Sequence, residues 1–445
     1  MPKEELRRGF GLSTSTYVVI ASMVGTGILV SPGYMMASLN NYTAIFGLWI
    51  LGGLLAVCGA LCVAELAAAL PRAGGEYVYL REAYGPMPAF LSGWTSFLVG
   101  FSGPLAVASY IAALYLLTPF GLVGSETDRL VRGTAAIIIV AITVPNLMGH
   151  RQSAWTQNVT TILKLGLFAA LIVMAFLWGE GRLAHLAEGQ PIRQVGLGVA
   201  ATQLFYVMFA YSGWNAATYV AGEVKNPVRT LPRSLLLGTG LVIVLYLALN
   251  LVFAYAVPLA DVGFAKAEQV PKLAVERLFG PRASSVFSVA LGLTFLATVS
   301  AFIVTGARIY YAMATDGLFP SLAGYVSSKG QVPVYAILAQ SLCALVILFA
   351  TDFQNLYKYV SVGQSLFAML FVGAVYVLRW RRPDMERPFH VPGYPLVPGI
   401  FIVVTLCMAV FAFTQWTKPS LYSLGSILVG IPIYYVWSSV RRRGN

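Results

Sequence analysis

Charge is the scarcest ingredient of this chain of 445 residues: Asp, Glu, Lys and Arg make up 10% of it, where soluble globular proteins carry roughly 25%. With 58% hydrophobic residues and a mean hydropathy of +0.76, most of the chain cannot face water. A soluble enzyme with a membrane tail is excluded, and so is a disordered or fibrous chain. Cysteine and histidine are also rare. Cys58, Cys62, Cys343 and Cys407 lie in apolar runs, and His150, His185 and His390 fall in expected loops. Cys58 and Cys62 stand four residues apart, a spacing that could hold a metal, but no histidine or third thiol accompanies them. No catalytic cluster, metal ion or cofactor is therefore expected. The few charges are unbalanced, with 29 Lys and Arg against 17 Asp and Glu. A nucleic-acid reader gathers its cations on a polar domain, and no polar stretch here is long enough to be one. No nucleic-acid partner is expected.

What the chain has in abundance is apolar runs. Crossing the hydrocarbon core takes about 20 apolar residues. Windows of that kind fall near 15–37, 44–70, 87–117, 132–149, 154–178, 197–222, 233–257, 284–313, 333–350, 356–379, 396–414 and 421–440. They predict an all-α polytopic membrane protein of about twelve spans, with the lipid bilayer as its surroundings. The first span follows Lys3, Arg7 and Arg8, which imitates a secretory signal. It runs on without a small-residue cleavage site and is read as retained.

Threading the spans from a cytoplasmic N-terminus sorts the cations. Inside fall Lys3, Arg7, Arg8, Arg72, Arg81, Arg151, Lys225, Arg229, Arg233, Arg308, Lys329, Arg379, Arg381, Arg382, Arg387 and Arg441–Arg443. The outer loops hold about half as many, the asymmetry of a chain whose termini are both cytoplasmic. This predicts a location in the inner (plasma) membrane. The longest outer loop, 258–283, carries Lys266, Glu268, Lys272 and Glu276 and reads as a short surface helix.

Two spans are interrupted at depth. The first runs Met23-Val24-Gly25-Thr26-Gly27-Ile28, and the sixth Phe209-Ala210-Tyr211-Ser212-Gly213-Trp214-Asn215. Backbone exposed to lipid is prohibitive, so a broken helix at depth lines a protein-walled cavity. Packing glycines in intact helices are the alternative. The first and sixth spans are equivalent positions of two five-helix halves, which points to an inverted-repeat transporter. A helix break frees N–H groups on one side and carbonyls on the other. Amides after Gly25 suit a carboxylate, and carbonyls around Phe209, Ala210 and Tyr211 suit an ammonium. Together they match the invariant part of an α-amino acid. Spans one, three, six, eight and ten hold no Asp or Glu near mid-depth, which favours a neutral side chain.

One charge does lie at depth. Lys164, inside span five, is about ten residues from either end, too far for easy snorkelling. It is expected to hold the half-helices through their carbonyls, or to release its proton and couple transport to protons. Glu65 reads as structural, paired with an arginine near the cytoplasmic surface. Ser300 and Gln364 are deep enough to touch a substrate, or else to join helices. Gly196-Leu197-Gly198 imitates a dinucleotide motif, but no strand precedes it, and no GxxxxGK is present.

These residues resemble the amino acid–polyamine–organocation superfamily, and its L-type amino acid transporter branch most. The resemblance rests on Met23 through Leu29, Cys62-Val63-Ala64-Glu65-Leu66, Pro71-Arg72-Ala73-Gly74-Gly75-Glu76-Tyr77 and Thr156-Gln157-Asn158-Val159 leading to Lys164. It continues through Phe209–Asn215 with Lys225-Asn226-Pro227, Arg308–Met313 with Asp316-Gly317, Arg381-Arg382-Pro383 with Glu386-Arg387-Pro388, and Trp416-Thr417-Lys418-Pro419 before Gly430–Tyr434. It covers nearly the whole chain.

The resemblance implies a LeuT-type fold of twelve helices in one domain, residues 1–445. A first repeat (15–178), an inverted second repeat (197–379) and two additional helices (396–440) would compose it. It implies sodium-independent amino acid exchange. Amides of Thr26 and Gly27 would take the substrate carboxylate. Carbonyls of Met23, Phe209 and Ser212 would take its amine, with Phe209 as the gate. Asn215, Ser300 and Gln364 would fall near the polar pocket and gate. Animal relatives bond a glycoprotein through a cysteine after span three, but Thr118–Arg132 contains none. No covalent heavy-chain partner is expected, and a bacterial-type, self-sufficient transporter is favoured. Ser212 stands where many relatives carry Gly or Asp, and Gly222-Glu223 where many carry paired glutamates. The expectation is alternating-access exchange of neutral L-amino acids. A proton-coupled symporter using Lys164 is the alternative within the class, and a membrane-embedded enzyme or a channel the alternatives outside it.

Overall fold

A computed structural model describes residues 9–72, 75–122, 127–148, 151–327 and 332–444, with the backbone alone described for 151–158 and 440–444. Lys3, Arg7, Arg8, Ala73, Gly74, His150 and Lys329 lie outside the described residues. So do the side chains of Arg151, Thr156, Gln157, Asn158 and Arg441–Arg443.

Helices dominate, as the apolar runs require. The first interrupted span forms α1 (Leu12–Met23) and α2 (Gly27–Leu39), bent by 42° at the break. There follow α3 (Tyr42–Ala69), a short α4 (Glu76–Tyr84), and α5 (Pro86–Thr95), which passes through a π-helical turn (Ser96–Ser102) into α6 (Gly103–Leu117). Next come α7 (Asp128–Met148), α8 (Arg151–Trp178), α9 (Leu197–Ala210), α10 (Pro227–Ala256) and α11 (Val270–Thr315). The chain ends with α12 (Val334–Ala350), α13 (Phe353–Arg381), α14 (Leu396–Gln415) and α15 (Thr417–Gly444). Among the described residues nine helices are long and apolar enough to cross a membrane, ten with the bent pair, while α9 and α12 are shorter apolar helices. The protein is therefore a multi-pass, all-α membrane protein.

The second interruption has a clear local cause. α9 stops at Ala210, and Gly213 adopts φ +99°, a left-handed conformation natural to glycine. A 3-10 turn, Ala216–Glu223, completes the span before Asn226 and Pro227 start α10. The surface helix expected in 258–283 exists as the first turns of α11, which kinks at Gly280 (φ +86°) and Pro281. Lys272 and Glu276 pair along it at 3.9 Å, whereas Glu268 turns inward and accepts the Tyr34 hydroxyl.

The helices pack in two groups. In one, α10 lies along α3 and α1, and α2 along α9. In the other, α11 lies along α6 and α8, and α7 along α6 and α12. The two faces of the membrane domain can be told apart by connectivity. Phe10 pairs with Val224 at one face, and Asn41 with Gly189 at the other.

At the Phe10 face, Glu65 of α3 is 1% exposed and fully engaged. Arg379 donates from Nε at 2.8 Å and from Nη2 at 2.6 Å, one bond to each carboxylate oxygen. The Val391 amide adds a bond of 2.7 Å, and Arg387 lies 3.7 Å away. Glu65 thus has the arginine its position calls for, supplied by the far end of α13.

Candidate functional site

Between the two breaks lies a cavity of about 230 Å³. α1 contributes Ala21 and Ser22 to its wall, the break after it Val24 and Gly25, and no α2 residue lines it. The cavity therefore occupies the α1 side of the break, toward the face that carries Phe10. On the α2 side an aromatic layer closes the space. Phe209 meets Tyr357 edge-on at 4.7 Å, Tyr357 meets Tyr206 at 5.0 Å, and Tyr206 meets Tyr34 at 5.4 Å. Ser31 pins this layer, donating to the Tyr206 carbonyl at 2.8 Å and lying 2.9 Å from the Tyr357 hydroxyl.

The backbone at the break is only partly satisfied. Leu29 and Val30 donate to the Thr26 carbonyl. The N–H groups of Thr26, Gly27 and Ile28 have no acceptor among the described residues. They belong to the start of α2 and point along its axis back toward the break, where the dipole favours an anion. The carbonyl side differs from the expectation. Tyr246 of α10 places its hydroxyl 2.7 Å from the Met23 carbonyl and 3.1 Å from that of Ala210, so one O–H serves both broken helices. The Phe209 carbonyl accepts from the Ser212 amide. Tyr246 is not legible in the sequence as a site residue, since a tyrosine in an apolar run signals packing first.

Of the residues expected at the site, Gly25, Phe209, Ser212, Asn215, Gln364 and Lys164 line the cavity. Met23, Thr26, Gly27, Ala210 and Tyr211 sit behind this wall. At Gly27 a Cβ would lie 2.3 Å from the Ala210 Cα, so its lack of a side chain brings α2 onto α9. Ser300 turns away to Asn146 of α7, with contacts of 3.0 and 3.2 Å. Gln364 donates to the Val99 carbonyl at 3.4 Å, and its Oε1 is buried without a partner.

Lys164 is 3% exposed and reaches the cavity from α8. Its ammonium lies 3.5 Å from Thr298 Oγ1 and 5.8 Å from the centre of the Phe295 ring, both on α11. Among the described residues, its hydrogen-bond partner is this hydroxyl and not a carbonyl of either break.

A carboxylate also reaches the wall. No span supplies it at mid-depth; Glu76, the first residue of α4, folds in from the segment after α3. Asn215, just past the second break, donates to its Oε1 at 2.7 Å. The sequence signal is the Gly75-Glu76 step beside a span, but nothing local says that α4 folds back. Removal from water raises the Glu76 carboxyl from the usual 4.5 to about 7, against the opposing hydrogen bond from Asn215. A raised carboxyl stabilises the fold while protonated: the contribution is complete below 4.5 and is lost as pH rises through 7. Glu76→Gln keeps an acceptor for Asn215 and has no proton to lose. Thermal unfolding at about pH 5 and about pH 8 should show a smaller drop for the variant than for the unmodified protein. Equal drops would contradict the assignment.

Residues 10–436 match the amino acid permease family. The b(0,+)-type amino acid transporter 1 of Mus musculus is 28% identical over 436 residues, covering 97% of this chain and 88% of that protein. The large neutral amino acids transporter small subunit 2 of Mus musculus is 28% identical over 441 residues, covering 97% and 81%. The protein of that name from Homo sapiens is 27% identical over the same length. A cavity between two helix breaks in a multi-pass membrane protein thus coincides with a match along nearly the whole chain, and the chain belongs to the amino acid permeases of the amino acid–polyamine–organocation superfamily, transporters and not enzymes.

Proposed function

We propose that the chain is a sodium-independent exchanger of neutral L-amino acids that works by alternating access. The observation that carries this reading is the cavity between the breaks, with Gly25 and Phe209 in its wall and the unpaired amides at the start of α2 behind Gly25. The substrate carboxylate caps the start of α2 near Gly25, Thr26 and Gly27. Its amine meets carbonyls of the α1 end and of residues 209–212, where Met23 and Ala210 share Tyr246. Phe209 closes over the bound substrate, with Ser212, Asn215 and Gln364 around its polar end. Lys164 and Glu76 give the wall one cation and, above neutral pH, one anion. Such a wall favours a substrate without net charge. A fixed ammonium inside the cavity supports independence from sodium.

Twelve spans in a LeuT-type 5+5 arrangement fit the packing. α2 touches α9, α3 touches α10, α6 touches α11, and α7 touches α12, so the first four of the five equivalent elements of residues 15–178 and 197–379 meet pairwise. α14 and α15 are the two additional helices. Rocking of the α1–α3, α9 and α10 group against the α6–α8, α11 and α12 group would expose the cavity to each side in turn. The excess of cations in the loops assigned to the Phe10 face supports cytoplasmic termini in an inner (plasma) membrane. The four cysteines lie in α3, α12 and α14, none of them between residues 118 and 132, which favours a chain without a covalently bound partner. Proton-coupled symport through Lys164 is the second reading, favoured by an ammonium that reaches the cavity and whose hydrogen bond to Thr298 is long.

Uptake of labelled amino acids into proteoliposomes, loaded with unlabelled amino acid or empty, tests the reading. Uptake should need a loaded lumen, and equal uptake into empty vesicles would overturn exchange. With Lys164→Ala, exchange should slow in a manner independent of an imposed pH gradient. Gradient-driven accumulation in the unmodified protein that vanishes in the variant would favour the proton-coupled reading instead.

A further inference from the structure

Three glycines lie along α5, the π-helical turn and α6, and they are glycine for different reasons. At Gly93 a Cβ would fall 1.7 Å from the Met313 sulfur, and at Gly103 it would fall 2.5 Å from Val360 Cγ2. Each of these leaves room for a neighbour's side chain. At Gly100 the nearest atoms are Ser96 Cβ at 3.5 Å, Ser96 Oγ at 3.7 Å and the Thr95 carbonyl at 3.8 Å, all one turn back in the same chain. These are ordinary contacts, and none of the three comes from another element. The backbone of Gly100 is not left-handed either. Neither packing nor backbone conformation asks for glycine there, and glycine in a helix interior is a net cost. What adjoins Gly100 is the cavity.

The π-helical turn that carries it is an uncommon local structure, frequent at functional positions. The wall about it is mixed: Phe101 and Pro104 with Ala297, Ala301 and Phe302 of α11 are apolar, while Thr95 and Ser96 one turn back and Thr294, Thr298 and Thr305 of α11 add hydroxyls. On the reading proposed above, the two breaks hold the charged groups of the substrate. The side chain must then point at a wall that the breaks do not supply. Gly100 leaves open space beside Phe101, Pro104, Ala297, Ala301 and Phe302, and a hydrocarbon or a ring packs against these carbons with no polar group of its own to satisfy.

We infer that Gly100 sets the upper size limit for the substrate's side chain, its missing Cβ leaving the space that a bulky apolar or aromatic amino acid fills. This inference rests on the transport reading, and the test separates the two. Purified protein in detergent is titrated with labelled leucine, and alanine and phenylalanine are used as competitors. The comparison covers the unmodified protein, Gly100→Ala and Gly100→Leu, with thermal unfolding recorded for each. The ratio of the competing concentrations, phenylalanine to alanine, should rise by at least about tenfold in Gly100→Leu, the scale expected for a methylene or more taken from an apolar pocket. Gly100→Ala should lie between. An unchanged ratio in a folded variant, or an unmodified protein that excludes phenylalanine, overturns the inference alone. Should Gly100→Leu fail to fold, the ratio in Gly100→Ala decides. An unmodified protein that binds no amino acid sinks the transport reading, and this inference with it.

Discussion

Gly25→Val is expected to reduce amino acid uptake by about 100-fold or more while leaving the protein folded. Gly25 lines the cavity at the break between α1 and α2, and a Cβ there would meet nothing nearer than the Met23 carbonyl at 3.9 Å. Its backbone is not left-handed, so valine brings no strain of that kind. The added atoms enter the cavity beside the unpaired amides of Thr26 and Gly27, where the substrate carboxylate is proposed to bind. A hydrogen bond to a charged group contributes about 1.5–3 kcal/mol, so covering two such donors reaches the 100-fold scale. Uptake into loaded proteoliposomes measures the loss, and thermal unfolding shows whether the fold persists. Near-normal affinity in a folded variant would remove the carboxylate from this break.

The same substitution at Gly27 makes an instructive contrast. There a side chain collides with the Ala210 Cα, because α2 and α9 touch at that point. Gly27→Val should therefore lose activity together with thermal stability, through helix packing and not through crowding of a bound carboxylate. Glycine identity alone does not separate these two roles. What separates them is the neighbour that each Cβ would meet.

The same distinction explains how much can be read from the chain. Apolar runs and mid-membrane glycines are local signals, so the helices and both interruptions are legible in the amino-acid sequence alone. The depth of Lys164 is legible for the same reason, but its partner Thr298 lies on α11, and only the packing of α8 on α11 brings them together. Ser300 shows the limit of depth as a criterion. Thr294, Ala297, Thr298, Ala301 and Thr305 recur at helical spacing and face the cavity, whereas Ser300 falls off that stripe and bonds Asn146. Helical phase could have excluded it. Tyr246 and Glu76 have no comparable signal, since each reaches the breaks through tertiary packing alone.

Glu65 leads to the largest expected change in stability. Its carboxylate is buried, and Arg379 satisfies both oxygens while stacking 3.8 Å from the centre of the Tyr394 ring. Arg379→Met removes the charge partner and leaves the carboxylate with the Val391 amide and the more distant Arg387. Breaking a buried pair from one side costs about 3–5 kcal/mol, because the remaining charge is stranded. Arg387 is already engaged by the carbonyls of Leu378, Arg382, Pro383 and Met385. Those bonds use its Nη atoms, whereas its Nε is buried without a partner and is the atom nearest Glu65, so a small shift relieves the stranded charge and the cost should stay near the lower end of that range. Replacing both residues, as Glu65→Met with Arg379→Met, removes the stranded charge and should recover much of the loss. Thermal or denaturant unfolding of the two single variants and the double variant completes the cycle. A double variant as unstable as the sum of its parts would mean that the two side chains act independently. Recovery would instead identify the bridge as the tie between α3 and the end of α13, two helices that alternating access must either keep together or part. Exchange rates in the double variant then separate these cases: a tie kept throughout the cycle should leave them little changed, and a tie broken in each turn should let them rise.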